Sequence, residues 1–406
     1  MFSICVAVIV CNIITSTDIY PGFEAGTSRI ARQQIIDYME INSDDIAVEE
    51  PELKLNKGDL VILLYTTIFF TRIWHGLQGK KLHSHYRDMG CPKCNCHLTY
   101  NKSNILIADA VIFHARDVEG HRKDKYSAKR LALVRRACPR EQIWIFLSHE
   151  NPQHDSSIYA PYRQLFNWTS TFNRKSDVVI PYGTFIKKSS NEPLKNYAKE
   201  KTGAVAWAAS NCLQMRLQYV QELQYYIDVT VYGKCNRYFA KRKNCEHFSE
   251  ACTKEISKYK FFLAFENDFC EDYVTEKYWE RIYQEAVPVV MGGNYEGIAI
   301  PRSYIDVSDF SSIKALADYL LYLDSNDTAY NSYFAWKSDY AINAGPLVDL
   351  HCSICMALNS KKAKEEKIMT LHETFNRYSK CDKPFKLKRE SFLKQIQESK
   401  KTRQGR

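Results

Sequence analysis

The sequence predicts an α/β protein of two lobes with a cleft between them. Short apolar runs, typical of strands buried in a parallel sheet, alternate along the chain with patterns typical of amphipathic helices. Strands that alternate with helices indicate an α/β fold with largely parallel sheets. The chain of 406 residues is long enough to form two cores of domain size. The predicted strands are 59–65, 110–114, 143–147, 178–180, 204–207, 229–232, 261–265 and 287–290.

The first predicted strand, 59–65, is a continuous apolar run that begins after Gly58. Such a run suits a strand that is buried on both faces. Helices are predicted in the second half of the chain at 213–226, 246–259 and 275–286. The last of these has its aromatic and apolar residues on one side, as an amphipathic helix does.

A polar stretch at 187–201, with Ser-Ser-Asn-Glu-Pro in its middle, is the best candidate for a domain boundary. It divides the chain into an N-terminal α/β lobe at 58–190 and a C-terminal α/β lobe at 200–357. In such two-lobed proteins a ligand binds in the cleft, at the carboxyl ends of the strands. We therefore expect the functional residues to follow the predicted strands.

The N-terminal segment 1–17 is apolar and carries no charged side chain before Asp18. It is shorter than the roughly 20 apolar residues of a membrane-spanning helix, and it lacks the basic residues that precede most signal sequences. A signal anchor or its remnant is the favoured interpretation, and a cleaved signal peptide and a buried strand are the alternatives. The polar, partly acidic segment 18–57 is predicted to be a stem.

The net charge of +9 lies entirely in the tail 361–406, which holds 15 Lys and Arg and 6 Asp and Glu. The rest of the chain is balanced. A groove for nucleic acid on the main body is therefore not expected, because such binding needs cations clustered on one face. The tail is predicted to be a solvated helix or a frayed end, and a role in binding an acidic partner is the alternative.

The cysteine content favours the secretory lumen. The chain contains 14 Cys, a high number for a cytosolic enzyme. Three potential N-glycosylation sequons, which are weak evidence alone, agree with this assignment. The clustered cysteines are Cys91, Cys94 and Cys96, then Cys245 and Cys252, then Cys352 and Cys355; the sequons begin at Asn101, Asn167 and Asn326.

The first and last cysteine clusters also have spacing compatible with two halves of a zinc site. In a lumenal chain disulfides are favoured over zinc. No Asp-x-Asp signature follows a predicted strand, so the usual ligand of a metal-bridged diphosphate is missing. We therefore expect no metal site.

The most informative segment is 259–279. A buried strand at 261–265 leads into a polar loop, and the loop leads into a helix for which Thr275 is a plausible N-cap. A helix N-terminus offers unpaired N–H groups and a positive dipole end, and Lys277 lies in its first turn. These features suit a diphosphate, although an exposed surface lysine fits the spacing equally well.

Two further candidates follow other predicted strands. Arg216 lies near a strand-to-helix junction, where it fits a diphosphate-binding cation or a solvated helix arginine. Glu150 follows the strand 143–147 and precedes Pro152, so it fits a general base in the cleft or a loop carboxylate bonded to its surroundings. The neighbouring His149 and His154 are predicted to be structural.

These segments resemble the α1,3/α1,4-fucosyltransferase family of inverting, GT-B-like enzymes that use GDP-fucose. The resemblance extends from about residue 58 to 357 and implies a GT-B-like fold of two Rossmann-like lobes with a cleft between them. It makes the N-terminal lobe the acceptor side and the C-terminal lobe the GDP-fucose side. The motifs that carry it most strongly are Phe265-Glu-Asn267, Asp272-Tyr-Val-Thr-Glu-Lys277, Val287-Pro-Val-Val-Met-Gly292 and Glu150-Asn-Pro152.

The resemblance implies a role for each candidate by its position in these motifs. For the reaction itself it implies a general base at Glu150 and, at Glu276, a carboxylate that stabilises positive charge on the fucose ring. For the donor it implies diphosphate-binding cations at Arg216 and Lys277, nucleotide contacts at Asn267 and Tyr273, and a pocket-lining Tyr182. It also implies a short disulfide between Cys352 and Cys355.

The predicted function is transfer of L-fucose from GDP-β-L-fucose in α1,3 linkage to a GlcNAc residue of a glycoprotein glycan. The expected location is the Golgi membrane, as a single-pass type II protein with a lumenal catalytic domain. No cofactor is required, and stimulation by Mn²⁺ is left open. The alternatives are a catalytically silent lumenal glycan-binding homologue and a GT-B transferase for another nucleotide sugar. The sequence leaves the acceptor open between a glycan antenna and the N-glycan core.

Overall fold

A computed structural model describes most of the chain from residue 53 onward. The predicted anchor 1–17 and nearly all of the predicted stem 18–57 lie outside the described residues. In the part of the chain that is described, no helix combines the length and the apolar character needed to cross a membrane. The described residues are 53–68, 95–120, 126–152, 161–162, 164–188, 195–212, 214–244, 249–344, 350–360, 381 and 385–404.

The N-terminal lobe contains a six-stranded parallel sheet in the order β2-β1-β3-β4-β5-β6. Its central strands are completely or almost completely buried, which explains their continuous apolar sequence. The strands are β1 (Leu60–Leu64), β2 (Cys96–Thr99), β3 (Ala110–His114), β4 (Ile143–Ser148), β5 (Trp168–Thr171) and β6 (Val178–Val179).

The C-terminal lobe contains a five-stranded parallel sheet in the order β12-β11-β10-β8-β9. The central strand β10 is buried throughout, with Phe261, Leu263 and Phe265 in one core and Phe262 and Ala264 in the other. The strands are β8 (Gly203–Ala208), β9 (Val229–Tyr232), β10 (Tyr259–Phe265), β11 (Val287–Met291) and β12 (Ile305–Asp306).

Helices cover both faces of each sheet. The N-terminal sheet packs against α1 (Ala115–Gly120) and α2 (Ala128–Ala137) on one face. In the C-terminal lobe, α3 and α6 lie on the opposite face from α4 and α5. These helices and α7 are α3 (Gln214–Leu223), α4 (Glu250–Ile256), α5 (Glu276–Tyr283), α6 (Ile313–Ser325) and α7 (Asp327–Asn331). The predicted α/β, GT-B-like fold of two Rossmann-like lobes is confirmed.

The C-terminal part of the chain returns to both lobes. Two strands, β7 (Gly183–Lys187) and β13 (Tyr340–Ala344), form an antiparallel ribbon that packs against the core of the C-terminal lobe. Helix α8 (Leu350–Leu358) then packs on the N-terminal sheet, with Leu350 and Ile354 in its core. The sequence-based division placed residues 350–357 in the C-terminal lobe. This assignment is corrected here, because the apolar side chains of α8 pack on the sheet of the N-terminal lobe.

The basic tail also differs from its prediction. Helix α9 (Lys386–Gln404) is not a solvated or frayed end, since Phe392 and Ile396 are buried in the core of the C-terminal lobe. These two apolar residues, four positions apart, lie on one face of the helix. Among the basic residues of α9, Lys386, Lys394, Lys401 and Arg403 are exposed, whereas Lys388, Arg389 and Lys400 are partly buried.

The disulfides differ from the predicted pairing as well. Cys355 is bonded to Cys96 and not to Cys352, so the predicted short Cys352–Cys355 bridge is wrong. The structure does bring parts of the first and last cysteine clusters together, but as a disulfide that fastens α8 to β2. Further bridges among the described residues join Cys212 to Cys235 and Cys270 to Cys381.

Candidate active site in the cleft

A cavity of about 580 Å³ lies where the carboxyl ends of strands from both lobes meet. The N-terminal lobe contributes Glu150, from the loop after β4. The C-terminal lobe contributes the rest of the wall, which includes the residues after β8 and β9 and one side of helix α5. A cavity of this size falls in the range of small-molecule sites in proteins.

The structure brings most of the predicted site residues together. Those that line the cavity are Glu150, Arg216, Asn267, Glu276 and Lys277. The other two, Tyr182 and Tyr273, do not line it, in contrast to their predicted contact with the donor. They lie next to the cavity in the contact between the lobes.

Lys277 is held by oxygen atoms on three sides. Its Nζ lies 2.9 Å from Glu276 Oε1 and 3.4 Å from Glu266 Oε2, and it donates to Thr275 Oγ1 at 2.9 Å. Burial lowers the pKa of Lys277, but the charges of the two glutamates outweigh burial and raise this pKa to about 12. Lys277 is therefore fixed in place and remains protonated over the physiological pH range.

Glu276 is the partner of Lys277 at the start of α5. Burial raises the pKa of Glu276, but the Lys277 ammonium and its hydrogen bond outweigh burial, so the pKa lies below the ordinary value of a glutamate. Glu276 thus presents an ionised carboxylate at the cavity wall.

Glu266 is a site residue to which the sequence analysis gave no role. It follows the buried strand β10, and its carboxylate accepts from Thr275 N–H and from Thr275 Oγ1, both at 2.8 Å. Its side chain is completely buried, and burial raises its pKa, although the charge of Lys277 opposes this effect. One signal in the sequence could have identified Glu266: its carboxylate directly follows the apolar run 261–265, which predicts a buried strand.

The N-terminus of α5 is consequently occupied by groups of the protein itself. Thr275 N–H is bonded to Glu266, and Lys277 N–H lies 3.4 Å from the Thr275 hydroxyl that caps the helix. The prediction that open N–H groups of this helix bind a diphosphate is therefore modified. The predicted cations Lys277 and Arg216 both lie at this wall of the cavity.

Arg216 projects from the first turn of α3 and is only 3% exposed. Its guanidinium donates to Phe265 O at 3.0 Å and also to Asn211 O, so it bridges the ends of β10 and β8. Burial lowers its pKa, while the nearby charge of Glu266 acts in the opposite direction. Arg216 Nε is buried and has no hydrogen-bond partner among the described residues, which leaves a donor for a ligand.

Arg281 is a further cation that the sequence analysis did not identify. It lies one helical turn after Lys277 on α5 and also lines the cavity. Its guanidinium lies 3.0 Å from Glu280 Oε2 and 4.3 Å from the centre of the Phe262 ring. The wall formed by α5 is therefore a row of alternating charges that contains Glu276, Lys277, Glu280 and Arg281.

Glu150 is the only described N-terminal-lobe residue in the cavity wall. Its backbone N–H donates to Ser148 Oγ at 3.3 Å, and the preceding His149 is buried. The His149 ring stacks on Tyr182 with ring centres 4.7 Å apart, and the Tyr182 hydroxyl donates to His149 O. His149 packs into the interface between the lobes, and this packing holds the adjacent Glu150 at the cavity.

Tyr182 and Tyr273 belong to that interface. Tyr273 is buried, with its ring 4.9 Å from Phe172 and 6.3 Å from Tyr182. Burial raises the pKa of each tyrosine, and the negative charge of Glu150 adds to this effect. Both tyrosines are therefore neutral supports behind the site.

Ion pairs join the lobes at the same level. Asp272, in the loop before α5, accepts from Arg174 N–H and from the Arg174 guanidinium at 3.0 Å each. Next to this pair, Lys175 Nζ lies 3.2 Å from Glu271 Oε1. Asp272 has a φ of 64°, a conformation that non-glycine residues rarely adopt, so its position is strongly determined by these contacts.

Both lobes of the chain match models of known protein families. The family model described as "Fucosyltransferase, N-terminal" matches residues 57–183. The model described as "Glycosyltransferase family 10 (fucosyltransferase) C-term" matches residues 198–374. Among solved structures, a crystal structure of an α1,3-fucosyltransferase gives a TM-score of 0.48 at 18% identity and covers 79% of this chain and 94% of that chain.

Curated relatives are considerably more similar in sequence. "Glycoprotein 3-alpha-L-fucosyltransferase A" of Drosophila melanogaster is 36% identical over 77% of this chain, and the match spans 59% of the Drosophila protein. "Alpha-(1,3)-fucosyltransferase 7" of Bos taurus is 33% identical over 64% of this chain and 72% of the bovine protein. Since both lobes match fucosyltransferase families and these relatives exceed 30% identity, the chain belongs to glycosyltransferase family 10, the fucosyltransferases.

Proposed function

We propose that the protein transfers L-fucose from GDP-β-L-fucose in α1,3 linkage to a GlcNAc residue of a glycoprotein glycan, with inversion at the fucose carbon. The observation that carries this proposal is that Glu150 of one lobe and Arg216 and Lys277 of the other line one cavity. The Drosophila relative is named as a glycoprotein 3-alpha-L-fucosyltransferase, and this name supports the choice of acceptor and linkage.

In this reaction Glu150 is the general base. It takes the proton from the acceptor hydroxyl as that oxygen attacks C1 of fucose, and GDP leaves from the opposite face of the sugar. One displacement needs one base on the acceptor side, and Glu150 lines the cavity from the lobe that does not carry the donor cations, which supports this role. The proton ends on Glu150 and the negative charge ends on the diphosphate of GDP.

The donor wall stabilises the two charges that develop as the bond breaks. Arg216 and Lys277 neutralise negative charge on the departing diphosphate. Glu276, ionised through its pair with Lys277, stabilises positive charge on the sugar ring, as carboxylates do in glycoside hydrolysis. Because these side chains already hold one another in position, little reorganisation is needed when the donor binds.

A divalent metal is not required in this proposal, because Arg216 and Lys277 supply the positive charge that a metal would bring to the diphosphate. Transfer in the presence of excess EDTA should match transfer without it. Loss of activity in EDTA, restored by Mn²⁺, would contradict this part of the proposal.

The transfer reaction is tested with GDP-β-L-fucose and a panel of acceptors that contains antennary N-acetyllactosamine and the chitobiose core of an N-glycan. Mass spectrometry detects the added deoxyhexose, and NMR of the product gives the anomeric configuration and the linked carbon. An α1,3-linked product supports the proposal, and a β-linked product would overturn the inverting mechanism. Absence of transfer to every acceptor, with GDP still bound, would instead indicate a silent glycan-binding homologue.

The choice of nucleotide is tested by thermal unfolding with GDP, UDP and CMP at equal concentrations. A ligand that binds only the native state raises the melting temperature. A larger increase with GDP supports a guanine nucleotide donor, whereas a larger increase with UDP would indicate a transferase for another nucleotide sugar.

We also propose that the protein is a single-pass type II protein of the Golgi membrane with a lumenal catalytic domain. The disulfides Cys96–Cys355, Cys212–Cys235 and Cys270–Cys381 support an oxidising compartment. Protease protection of intact membrane vesicles, together with co-sedimentation with a Golgi marker, tests this location. Digestion of the folded domain in unbroken vesicles would contradict it.

A further inference from the structure

The tail helix α9 contacts the loop that carries part of the proposed donor site. This loop, at 266–274, connects β10 to α5 and includes Asn267 in the cavity wall. Helix α9 begins at Lys386 and therefore lies beyond residue 374, where the match to the family ends. Buried Phe392 of α9 lies 5.8 Å from the ring of Phe269 in the loop, measured between ring centres.

A disulfide fastens the loop to the chain just before this helix. Cys270, in the middle of the loop and completely buried, is bonded to Cys381 across 111 residues of sequence. The same two residues form an isolated antiparallel bridge through their backbones. The loop is therefore held at its centre by covalent and backbone contacts to the tail.

An ion pair fixes a second point of the loop. Arg389 of α9 lies 2.5 Å from the carboxylate of Asp268, which is only 8% exposed. The Arg389 guanidinium also lies 5.1 Å from the centre of the Phe269 ring. Since Asp268 directly follows Asn267, this pair limits the movement of a residue that lines the cavity.

The same helix supports α3, which carries Arg216. Gln395 of α9 accepts from the Tyr219 hydroxyl at 3.0 Å, and Ser399 donates to Glu222 at 3.0 Å. Tyr219 and Glu222 are both buried on α3. One C-terminal segment thus contacts both α3, which brings Arg216 to the cavity, and the loop that brings Asn267 to it.

We propose that Cys381 and helix α9 together are a positioning element of the donor site, acting through Cys381 and Arg389 on the loop 266–274. This inference rests on the proposed use of the cavity for GDP-fucose. A loop that is already fixed costs no ordering entropy when the donor binds, whereas a released loop must be ordered by the ligand. Cys381 and α9 are therefore expected to set donor affinity, although none of the tail residues that the structure describes line the cavity.

The Arg389→Ala variant is the first test. We expect both the KM for GDP-fucose and the Kd for GDP to rise about tenfold, with kcat changed by less than about twofold. Arg389→Lys should recover part of this loss because it keeps the charge beside Asp268. Lys394→Ala is the matched control on the same helix, since Lys394 is 76% exposed and its ion pair with Glu398 stays within the helix.

The disulfide is tested with the double variant Cys270→Ser/Cys381→Ser. The matched control is Cys96→Ser/Cys355→Ser, which removes a bridge of the N-terminal lobe that makes no contact with the donor loop. We expect both double variants to lower the melting temperature, but only the first to weaken GDP binding. If the first variant does not fold, the Arg389 series decides the question.

The outcomes separate this inference from the proposed function. GDP binding that is as tight in Arg389→Ala as in the wild type, measured on folded protein, would overturn the positioning role and leave the proposed function intact. Equal weakening by Arg389→Ala and Lys394→Ala would also overturn it, because the effect would then be a general one of the helix. Failure of the wild type to bind GDP would instead contradict the proposed function.

Discussion

Glu150 reaches the cavity from a loop of the N-terminal lobe and bonds to its own neighbour Ser148, whereas the opposite wall holds its charged groups in a connected network. In that network Glu266 binds Thr275, and Lys277 contacts Thr275, Glu276 and Glu266 within 3.4 Å. One wall presents a single carboxylate and the other presents a set of mutually oriented charges.

The difference between the walls follows from what each has to do in the proposed reaction. A donor wall that binds a charged diphosphate benefits from groups oriented in advance, since reorienting them during the reaction would cost free energy. An acceptor wall has to admit a glycan and supply one base. Substitutions on the acceptor wall should therefore change the rate of transfer, and substitutions on the donor wall should change donor affinity.

The largest effect is expected for Glu150→Gln. Removing the general base should lower kcat by about 10²–10⁴-fold, because a positioned base typically contributes that much. GDP affinity, measured by calorimetry, should stay unchanged, since the opposite wall is intact. Wild-type turnover by this variant would remove Glu150 from the mechanism, and parallel loss of GDP binding would remove the distinction between the walls.

The next effect concerns the stability of the acceptor wall at acid pH. Burial lowers the pKa of His149 to about 4, while an unfolded histidine titrates near 6.5. The unfolded state therefore takes up this proton at a higher pH than the folded state does. The contribution of neutral His149 to the free energy of unfolding is fully present above about pH 6.5. It decreases as the pH falls toward 4, by about 3 kcal/mol in total.

The variant His149→Gln should lose less stability over this pH range, because glutamine cannot take up a proton and can still donate to Ile180 O. Urea unfolding at pH 7 and pH 4.5 measures the two free energies of unfolding for each protein. An equal decrease in wild type and variant would mean that other groups determine the acid sensitivity of this wall.

On the donor wall, Lys277→Ala should raise the Kd for GDP by about 10- to 100-fold, since hydrogen bonds to charged groups contribute about 1.5–3 kcal/mol. The exposed Lys314→Ala is a control for loss of one positive charge, because Lys314 pairs only with Asp318 on the surface of α6. Calorimetry with GDP provides the measurement. Unchanged affinity in Lys277→Ala would show that the diphosphate does not reach this lysine.

The smallest effect is expected for Glu266→Gln. Glutamine keeps one carbonyl oxygen for Thr275 N–H but removes the negative charge beside Lys277, so the free energy of unfolding should fall by about 1 kcal/mol. Ser148→Ala is the counterpart on the acceptor wall and should cost less, because its bonds to Glu150 are long, at 3.3 and 3.4 Å. A larger loss for Ser148→Ala would reverse the comparison of the walls.

The sheets and most of the site were predictable because their signals are local. Buried parallel strands appear as continuous apolar runs, and functional residues follow such runs at the strand ends. Glu150 and Lys277 were found in this way. The network around Lys277 was not, because Glu266 and Thr275 are brought together only by the turn at Asp272.

The tail and the cysteine pairing depended on contacts distant in sequence. The basic composition of 361–406 suggested a solvated segment, yet Phe392 and Ile396 are enough to bury one face of α9. Cysteine spacing alone cannot identify a partner, and Cys96 pairs across 259 residues with Cys355. The packing of α9 and the Cys96–Cys355 disulfide both join segments that are far apart in the sequence, so no local sequence pattern predicts them.

The return of the chain to both lobes has a consequence for its synthesis. The N-terminal sheet lacks Leu350 and Ile354 until α8 has been made, and the C-terminal core lacks Phe392 and Ile396 until α9 has been made. Many multidomain proteins fold their first domain while the remainder is still being translated. Here the N-terminal lobe cannot complete its core before most of the C-terminal lobe has been translated. A nascent chain whose translation ends before α8 therefore leaves apolar surface of both lobes exposed to chaperones.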